Sequence, residues 1–365
     1  MKTTIGALRG AIKKAIKATE TASCSIKAEG ESLKVIAASA QGSIMIDVPV
    51  EGTASCSATI SAKQVGAILG GLMDNLQCTI KPADTGITLI FGGSRIKLHQ
   101  TFEDGVTDMF AESGKEEKIT AFTATGKEFS ELLCGPVAYC SKSDIRYYLR
   151  GVQAIQDEGL LRLTGTDGVK LCTARSHIKT NPKMKDCIFP RSVAEAISTV
   201  FSNSDVIEVK QVGDASNMRF LLSSDTTKWI ASAIAGQFPN WRRVMPKAEK
   251  FGATTISRDA FASAIYRVVA ASDDPLIRVC FDKDGVTVQS TDEEQKEFFP
   301  SELSLKEKIV IGATGHFLAG AIEAVETSDF QMFLDGSDLD SKYIIAPVDA
   351  KISDWIGVCM PAAIT

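Results

Sequence analysis

The stretch Leu161-Arg-Leu-Thr-Gly-Thr-Asp167 decides the reading, because its pattern recurs. Leu33-Lys-Val-Ile-Ala-Ala-Ser39 and Val286-Thr-Val-Gln-Ser-Thr-Asp292 repeat it at a spacing of about 125 residues, too long for a solenoid unit. In each, apolar and polar residues alternate, which is the period of a half-buried strand, and each runs into small polar turn residues. An amphipathic helical pattern precedes each strand, over Ile5–Thr19, Lys127–Cys140 and Arg258–Ala271. A second helix follows, over Ser61–Met73, Arg191–Phe201 and Thr314–Val325. Each second helix leads into paired strands, over Gln77–Leu98, Val206–Ile234 and Asp329–Pro347. The order helix, strands, helix, strands therefore occurs three times in one register. An α+β protein is expected, built from three copies of one domain over residues 1–117, 118–250 and 251–365.

Composition agrees with several domains. The chain has 365 residues, 44% hydrophobic and 23% charged, which reads as globular and is too long for one ordinary core. No apolar run is long enough to span a bilayer. The first residues lack the apolar centre of a secretory signal, so a cytoplasmic protein with no membrane partner is expected. The nine cysteines are scattered without a Cys-x-x-Cys pair, and three histidines accompany them, so no zinc site is expected. They read as small buried thiols in a reducing compartment.

An enzyme reading finds little to work with. Asp167, before Gly168, reads as a turn residue rather than an acid or base. Asp273-Asp274 and Asp292-Glu293-Glu294 fall near turns without matching ligands, and Gly70-Gly71 and Gly92-Gly93 lack the lysine and spacing of a phosphate loop. No catalytic residue, metal or cofactor is expected.

Net charge is −5, but its distribution is uneven. In the first helix Leu8, Ala11, Ile12, Ala15 and Ile16 form an apolar stripe. Arg9, Lys13 and Lys17 fall on another face with Lys14 beside them, and no acid occurs before Glu20. Such a helix is either a solvated face or a footprint for phosphate. The related helices carry Lys127, Arg258 and Arg267. No motif for reading base edges is present, so any nucleic-acid contact is expected to be with the backbone, the kind that permits sliding.

Three segments carry a family resemblance. They are Phe129-Ser-Glu-Leu-Leu133 leading through Ala138-Tyr-Cys-Ser141 to Asp144-Ile-Arg-Tyr-Tyr-Leu-Arg-Gly151, then Leu163-Thr-Gly-Thr-Asp-Gly-Val-Lys-Leu171, then Phe238-Pro-Asn-Trp-Arg-Arg-Val-Met-Pro246. With Val358-Cys-Met-Pro361, their order and spacing resemble the bacterial DNA polymerase III beta subunit, the beta sliding clamp. The resemblance covers essentially the whole chain and is strongest from 129 to 246.

The resemblance implies a head-to-tail homodimer, a ring of DNA-clamp domains with helices lining a central hole and antiparallel sheets outside. It implies a processivity factor without catalysis that encircles duplex DNA. Its partners would be a replicative DNA polymerase, a clamp loader and other clamp-binding peptides, received in a cleft between the second and third domains. Carried over, that cleft would comprise Leu149, Thr166, Gly168, Val169, Lys170, Leu171, Pro239, Arg243, Val244, Val358, Met360 and Pro361, joined by Thr314 and Phe317. Leu, Val and Met offer an apolar groove for anchor side chains, and Lys170 and Arg243 can meet an acidic group. Lys142, Arg146, Tyr147 and Tyr148 would stand on a loop used against DNA, with the tyrosines either stacking on bases or packing in the core. Tyr266, Val269 and Ala270 would meet a partner near Phe102, so Val269→Glu is expected to give monomers.

The chain departs from the family pattern in the cleft. Val169-Lys170 stand where His-Arg is usual, and Met360-Pro361 is followed by Ala-Ala-Ile-Thr365. A changed peptide preference is expected, as in a divergent member of phage or plasmid type. Three repeats favour a dimer over a trimer of two-domain chains. An interaction scaffold that does not hold DNA remains the alternative.

Overall fold

A computed structural model gives the protein's structure and describes residues 1–101, 110, 117–214, 216–245, 252–301, 303, 307–334, 342–348 and 354–362. Among them one order of elements occurs three times, interrupted in the second copy and after it by two 3-10 turns, Tyr147–Arg150 and Trp241–Arg243. The first copy runs β1 (Lys2–Thr4), α1 (Ile5–Thr19), β2 (Ser23–Gly30), β3 (Ser32–Ser39), β4 (Gly42–Val48), β5 (Ala54–Ser61), α2 (Ala62–Leu69), β6 (Gln77–Ala83), β7 (Gly86–Phe91) and β8 (Ser94–His99). The second runs β9 (Lys118–Thr125), α3 (Gly126–Tyr139), β10 (Gly151–Asp157), β11 (Leu160–Thr166), β12 (Lys170–Lys179), β13 (Cys187–Pro190), α4 (Arg191–Val200), β14 (Val206–Val212), β15 (Arg219–Ser223) and β16 (Thr227–Ser232). The third runs β17 (Gly252–Ser257), α5 (Arg258–Ala271), β18 (Leu276–Asp282), β19 (Gly285–Ser290), β20 (Lys296–Pro300), β21 (Ile309–Thr314), α6 (Gly315–Glu323), β22 (Asp329–Leu334), β23 (Tyr343–Pro347) and β24 (Trp355–Cys359).

Contacts divide the chain differently from its repeats. One compact unit is Met1–Ser130 with Ile178–Ala235, and the other is Glu131–His177 with Gly236–Thr365. The reason is backbone pairing between repeats. In the first unit β4 pairs antiparallel with β16, Ile44 opposite Trp229, so one sheet runs β5-β2-β3-β4-β16-β15-β14-β9. In the second unit β12 pairs with β24, Leu171 opposite Val358, within the order β10-β11-β12-β24-β23-β22-β17. Two four-stranded sheets remain, β1-β6-β7-β8 in the first unit and β20-β19-β18-β21 in the second.

Local chemistry explains the helices. Thr4 caps α1 by accepting from the Ala7 N–H at 3.2 Å, and Leu8, Ala11, Ile12 and Ala15 are buried against β3 and β4. Full burial of Leu8 and Ile12 is worth about 2 kcal/mol each. Thr125 and Glu128 close a reciprocal box at the start of α3, with the Glu128 carboxylate accepting from the Thr125 N–H at 2.9 Å and hydroxyl at 2.7 Å. Those bonds hold the Glu128 carboxyl below its ordinary pKa. The helix expected over Ser61–Met73 ends earlier, at Leu69. Gly70 closes it through an N–H bond to the Gly66 carbonyl, and Gly71 follows at φ 75°, in the left-handed region.

One expectation changes. The strand at Leu161 is buried on both faces, not one. Its polar members are satisfied inside. Arg162 donates to Asp157 at 2.7 Å and to Thr173 at 3.2 Å, Thr164 bonds Thr173 at 3.0 Å, and the Trp241 ring lies 5.5 Å from the Arg162 guanidinium.

Candidate functional site

The turn Thr166–Lys170 forms one wall of a small cavity in the second unit. Asp167 Oδ1 accepts from the Val169 and Lys170 N–H groups at 2.9 and 2.8 Å. Thr166 Oγ1 accepts from the Gly168 N–H at 3.1 Å and donates to the Lys170 carbonyl at 2.7 Å. Gly168 sits at φ 95°, a conformation costly for any other residue. Asp167 is thereby a turn builder, and the turn presents Val169 to solvent, 51% exposed. The chain beyond β24 runs alongside it. The Met360 N–H bonds the Val169 carbonyl at 3.0 Å, and the Ala362 N–H bonds the Gly312 carbonyl at 2.9 Å.

The cavity is about 50 Å³ and is lined by Val169, Lys170, Thr314, Phe317, Tyr343, Cys359, Met360, Pro361 and Ala362. Phe317 and Met360 are 51% and 42% exposed, so an apolar rim surrounds a buried floor of Tyr343 and Cys359. Burial pushes the Cys359 thiol up to about 12, which makes it an inert part of that floor. Lys170 is anchored by donating to the Ala138 carbonyl at 2.8 Å, with its ammonium 5.2 Å from the Tyr139 ring and 5.5 Å from that of Phe317.

The expected cleft residues divide by position. Val169, Lys170, Thr314, Phe317, Met360 and Pro361 share this cavity. Leu149, Leu171 and Val358 are buried, and Val358 packs with Ile344, Ile356 and Met245. Thr166 and Gly168 shape the turn. Pro239, Arg243 and Val244 are exposed on the turn around buried Trp241, outside the cavity lining. Tyr343, Cys359 and Ala362 were not expected. Tyr343 arrives through the β23–β24 pairing opposite Cys359, a long-range register with no local sequence signal.

The loop before β10 carries Lys142, Ile145, Arg146 and Tyr147 outward, Ile145 at 91% exposure. Arg146 is committed to Asp144, from Nε at 3.0 Å and Nη2 at 2.7 Å, and to the Asp167 carbonyl at 3.3 Å. The Arg146 guanidinium holds the Asp144 carboxyl down to about 2. Tyr147 is 55% exposed and Tyr148 half-buried, edge to face at 5.9 Å, so neither is a core residue.

In the first unit the cations of α1 separate into two kinds. Arg9 is used structurally. It donates to the Leu69 and Leu72 carbonyls at 2.9 and 3.0 Å, where α2 ends, and pairs with Asp74. It is therefore not available as the freely solvated cation that the sequence suggests. Arg258 does the same in the third repeat, donating to the Val325 carbonyl at 2.9 Å and pairing with Asp259, and Arg267 pairs with Glu297 at 2.6 Å. Lys13, Lys14 and Lys17 have no hydrogen-bond or ion-pair partner among the described residues, and Lys13 and Lys17 are exposed.

The expected assembly residues also divide. Phe102 lies outside the described residues. Tyr266 and Ala270 are exposed on α5, and the Tyr266 hydroxyl donates to Glu323 at 2.7 Å. Val269 faces the other way. It is 7% exposed within the core of the third repeat, and a Cβ on Gly315 of α6 would collide with it. The helix period puts Val269 on the inner face and Ala270 on the outer one, so Val269→Glu would attack the fold before any interface. Phe298, unremarked in the sequence, is 54% exposed on β20, an edge strand.

Among the described residues no cluster of three or more His, Cys, Asp or Glu could hold a metal, and no helix is long and apolar enough to cross a membrane.

These repeats and sheets define the DNA-clamp fold. No family model matches the sequence. The chain is 24% identical to the beta sliding clamp of Vibrio cholerae over 275 residues, covering 74% of this chain and 73% of the relative. Among solved structures it is similar to the DNA polymerase III beta subunit of Thermotoga maritima, with a TM-score of 0.83 and 17% identity. It is also similar to the DNA polymerase sliding clamp of Pseudomonas aeruginosa, with a TM-score of 0.81 and 18% identity. Each match covers 100% of this chain and 99% of the other. The chain thus has the fold of the bacterial beta sliding clamp.

Proposed function

We propose that the protein is a DNA sliding clamp, a divergent relative of the bacterial beta subunit. Two copies join head to tail around duplex DNA and tether a polymerase and other clients by short peptides. The chain acts without catalysis or cofactor of its own, and a separate loader opens it.

The observation that carries this reading is the sheet pairing. Twice within the chain the β4-type edge of one repeat pairs with the last strand of the next repeat's second half, β4 with β16 and β12 with β24. The same rule applied once more joins β20 to β8, and among the described residues both are edges. A second copy can supply the missing strand at each end, and a heterologous contact that repeats twice closes. The domains at 1–117, 118–250 and 251–365 are the units of this scheme.

The cavity around Val169, Phe317 and Met360 is proposed as the part of the client cleft that receives an apolar anchor. Leu149, Leu171 and Val358 would stiffen its neighbourhood from within. Lys13, Lys14 and Lys17 supply unpaired cations for the DNA backbone, with Lys142 and Tyr147 from the loop before β10. Contacts of this kind are screened by salt and blind to sequence, which suits sliding.

The test is solution mass together with negative-stain electron microscopy. A particle of two 39.1 kDa chains enclosing a hole is expected. A compact particle without a hole would end the DNA-encircling reading and leave a scaffold of the same fold.

A further inference from the structure

Between α1, α2 and α4, wholly within the first unit, lies a groove of about 430 Å³. That size is typical of small-molecule sites. Half-exposed Ile16 and the alkyl stems of Lys13 and Lys17 contribute its apolar surface over buried Ile12 and Leu69, and Gly66, Thr199 and Arg9 complete the lining. Ile16 is the member of the apolar stripe of α1 that the core leaves half-exposed.

Charge selects the occupant. Lys13 and Lys17 stand one turn apart, exposed and without partners among the described residues. Two acids near the lining in sequence are compensated, Asp74 by Arg9 and Glu195, one turn before Thr199, by Arg191 at 2.6 Å; Glu20, three residues beyond Lys17, is exposed and makes no ion pair with it among the described residues. The groove thus combines apolar surface with two cations that no ion pair holds among the described residues. A two-turn helical segment, about 10 Å across and 11 Å long, would need roughly twice this volume, so a docked helix fits poorly.

We infer that this groove binds a small anionic amphiphile, an unbranched alkyl chain bearing one carboxylate. The chain lies on Ile16 beside Gly66, and the carboxylate meets the Lys13 and Lys17 ammonium groups. Because these lysines are also proposed to face DNA, the ligand competes with duplex; that consequence alone rests on the proposed function.

Calorimetric titration of the full chain with hexanoate, octanoate, decanoate and 1-decanol tests the site. Affinity should rise about fourfold per added methylene until the groove is filled. Decanoate should bind at least tenfold more tightly than 1-decanol, and Lys13→Gln with Lys17→Gln should erase that difference while leaving 1-decanol binding unchanged. Gly66→Leu should abolish binding of both. Nothing lies within 4 Å of a Cβ at Gly66, and leucine favours the helix, so this variant stays folded by circular dichroism. Unchanged decanoate affinity in Gly66→Leu, or equal affinity for decanoate and 1-decanol in the native chain, overturns the inference. If decanoate binds as expected but duplex DNA does not displace it, the groove stands and the DNA-facing role of the two lysines falls.

Discussion

Phe317→Ala should weaken binding of a client peptide by about tenfold while leaving the protein folded. The ring lies at the rim of the cavity, 51% exposed, so roughly 100 of its ~200 Å² is open before a client arrives. An anchoring leucine that covers on the order of 60 Å² of ring gains about 1.5 kcal/mol. Its loss corresponds to about tenfold in Kd. Fluorescence anisotropy with a labelled peptide carrying a leucine-phenylalanine anchor reads the loss directly. Because the ring is only half buried, the melting temperature should move little. Unchanged affinity in a folded variant would show that clients do not use this cavity.

Val269→Glu should unfold the third repeat at every protein concentration, since a carboxylate without a partner in that core costs several kcal/mol; Ala270→Glu, exposed one residue on, should melt normally and only lower the dimer fraction by sedimentation. Phe298→Lys on the edge of β20 should likewise give folded monomers, and a dimer as tight as the native one would place the interface elsewhere. The Asp144 carboxyl titrates at about 2 in the folded loop against an ordinary value near 4. Its pairing with Arg146 is therefore fully present above pH 4 and is lost as pH falls towards 2; a carboxyl resonance titrating near 2, returning to the ordinary range in Arg146→Gln, is the expected result.

The architecture was legible because periodicity is a local property. Residues that bury one face of α1 or α5 must recur at helical spacing, and the helices expected over Ile5–Thr19 and Arg258–Ala271 have those ends in the structure. Breakers also act locally, yet in sequence the pair Gly70-Gly71 shows only that it lacks the marks of a phosphate loop and does not announce itself as the stop that shortens α2. The double burial of β11 was not visible, because the alternation of Arg162 and Thr164 with leucines mimics a solvated face. Only the arrival of Asp157, Thr173 and Trp241 reveals that the polar side is dry and satisfied. Pairing between repeats was equally hidden, since nothing in Ile44 names Trp229 as its partner across the sheet.

The same distinction governs the sites. A charged residue announces its charge in the sequence but not what neutralises it. Arg9 and Lys13 look equivalent on one face of α1, yet a guanidinium can hold two carbonyls and a carboxylate at once, and Arg9 does so where α2 ends. Arg258 takes the corresponding task in the third repeat. The lysines, with a single flexible ammonium, are left to solvent. The repeat thus uses arginine to fasten its two helices together and lysine to present charge. It follows that a variant exchanging Arg9 for Lys would keep the net charge of α1 but unfasten α2, whereas exchanging Lys13 for Arg would keep both; formal charge alone is the wrong guide to which positions can meet an anionic ligand.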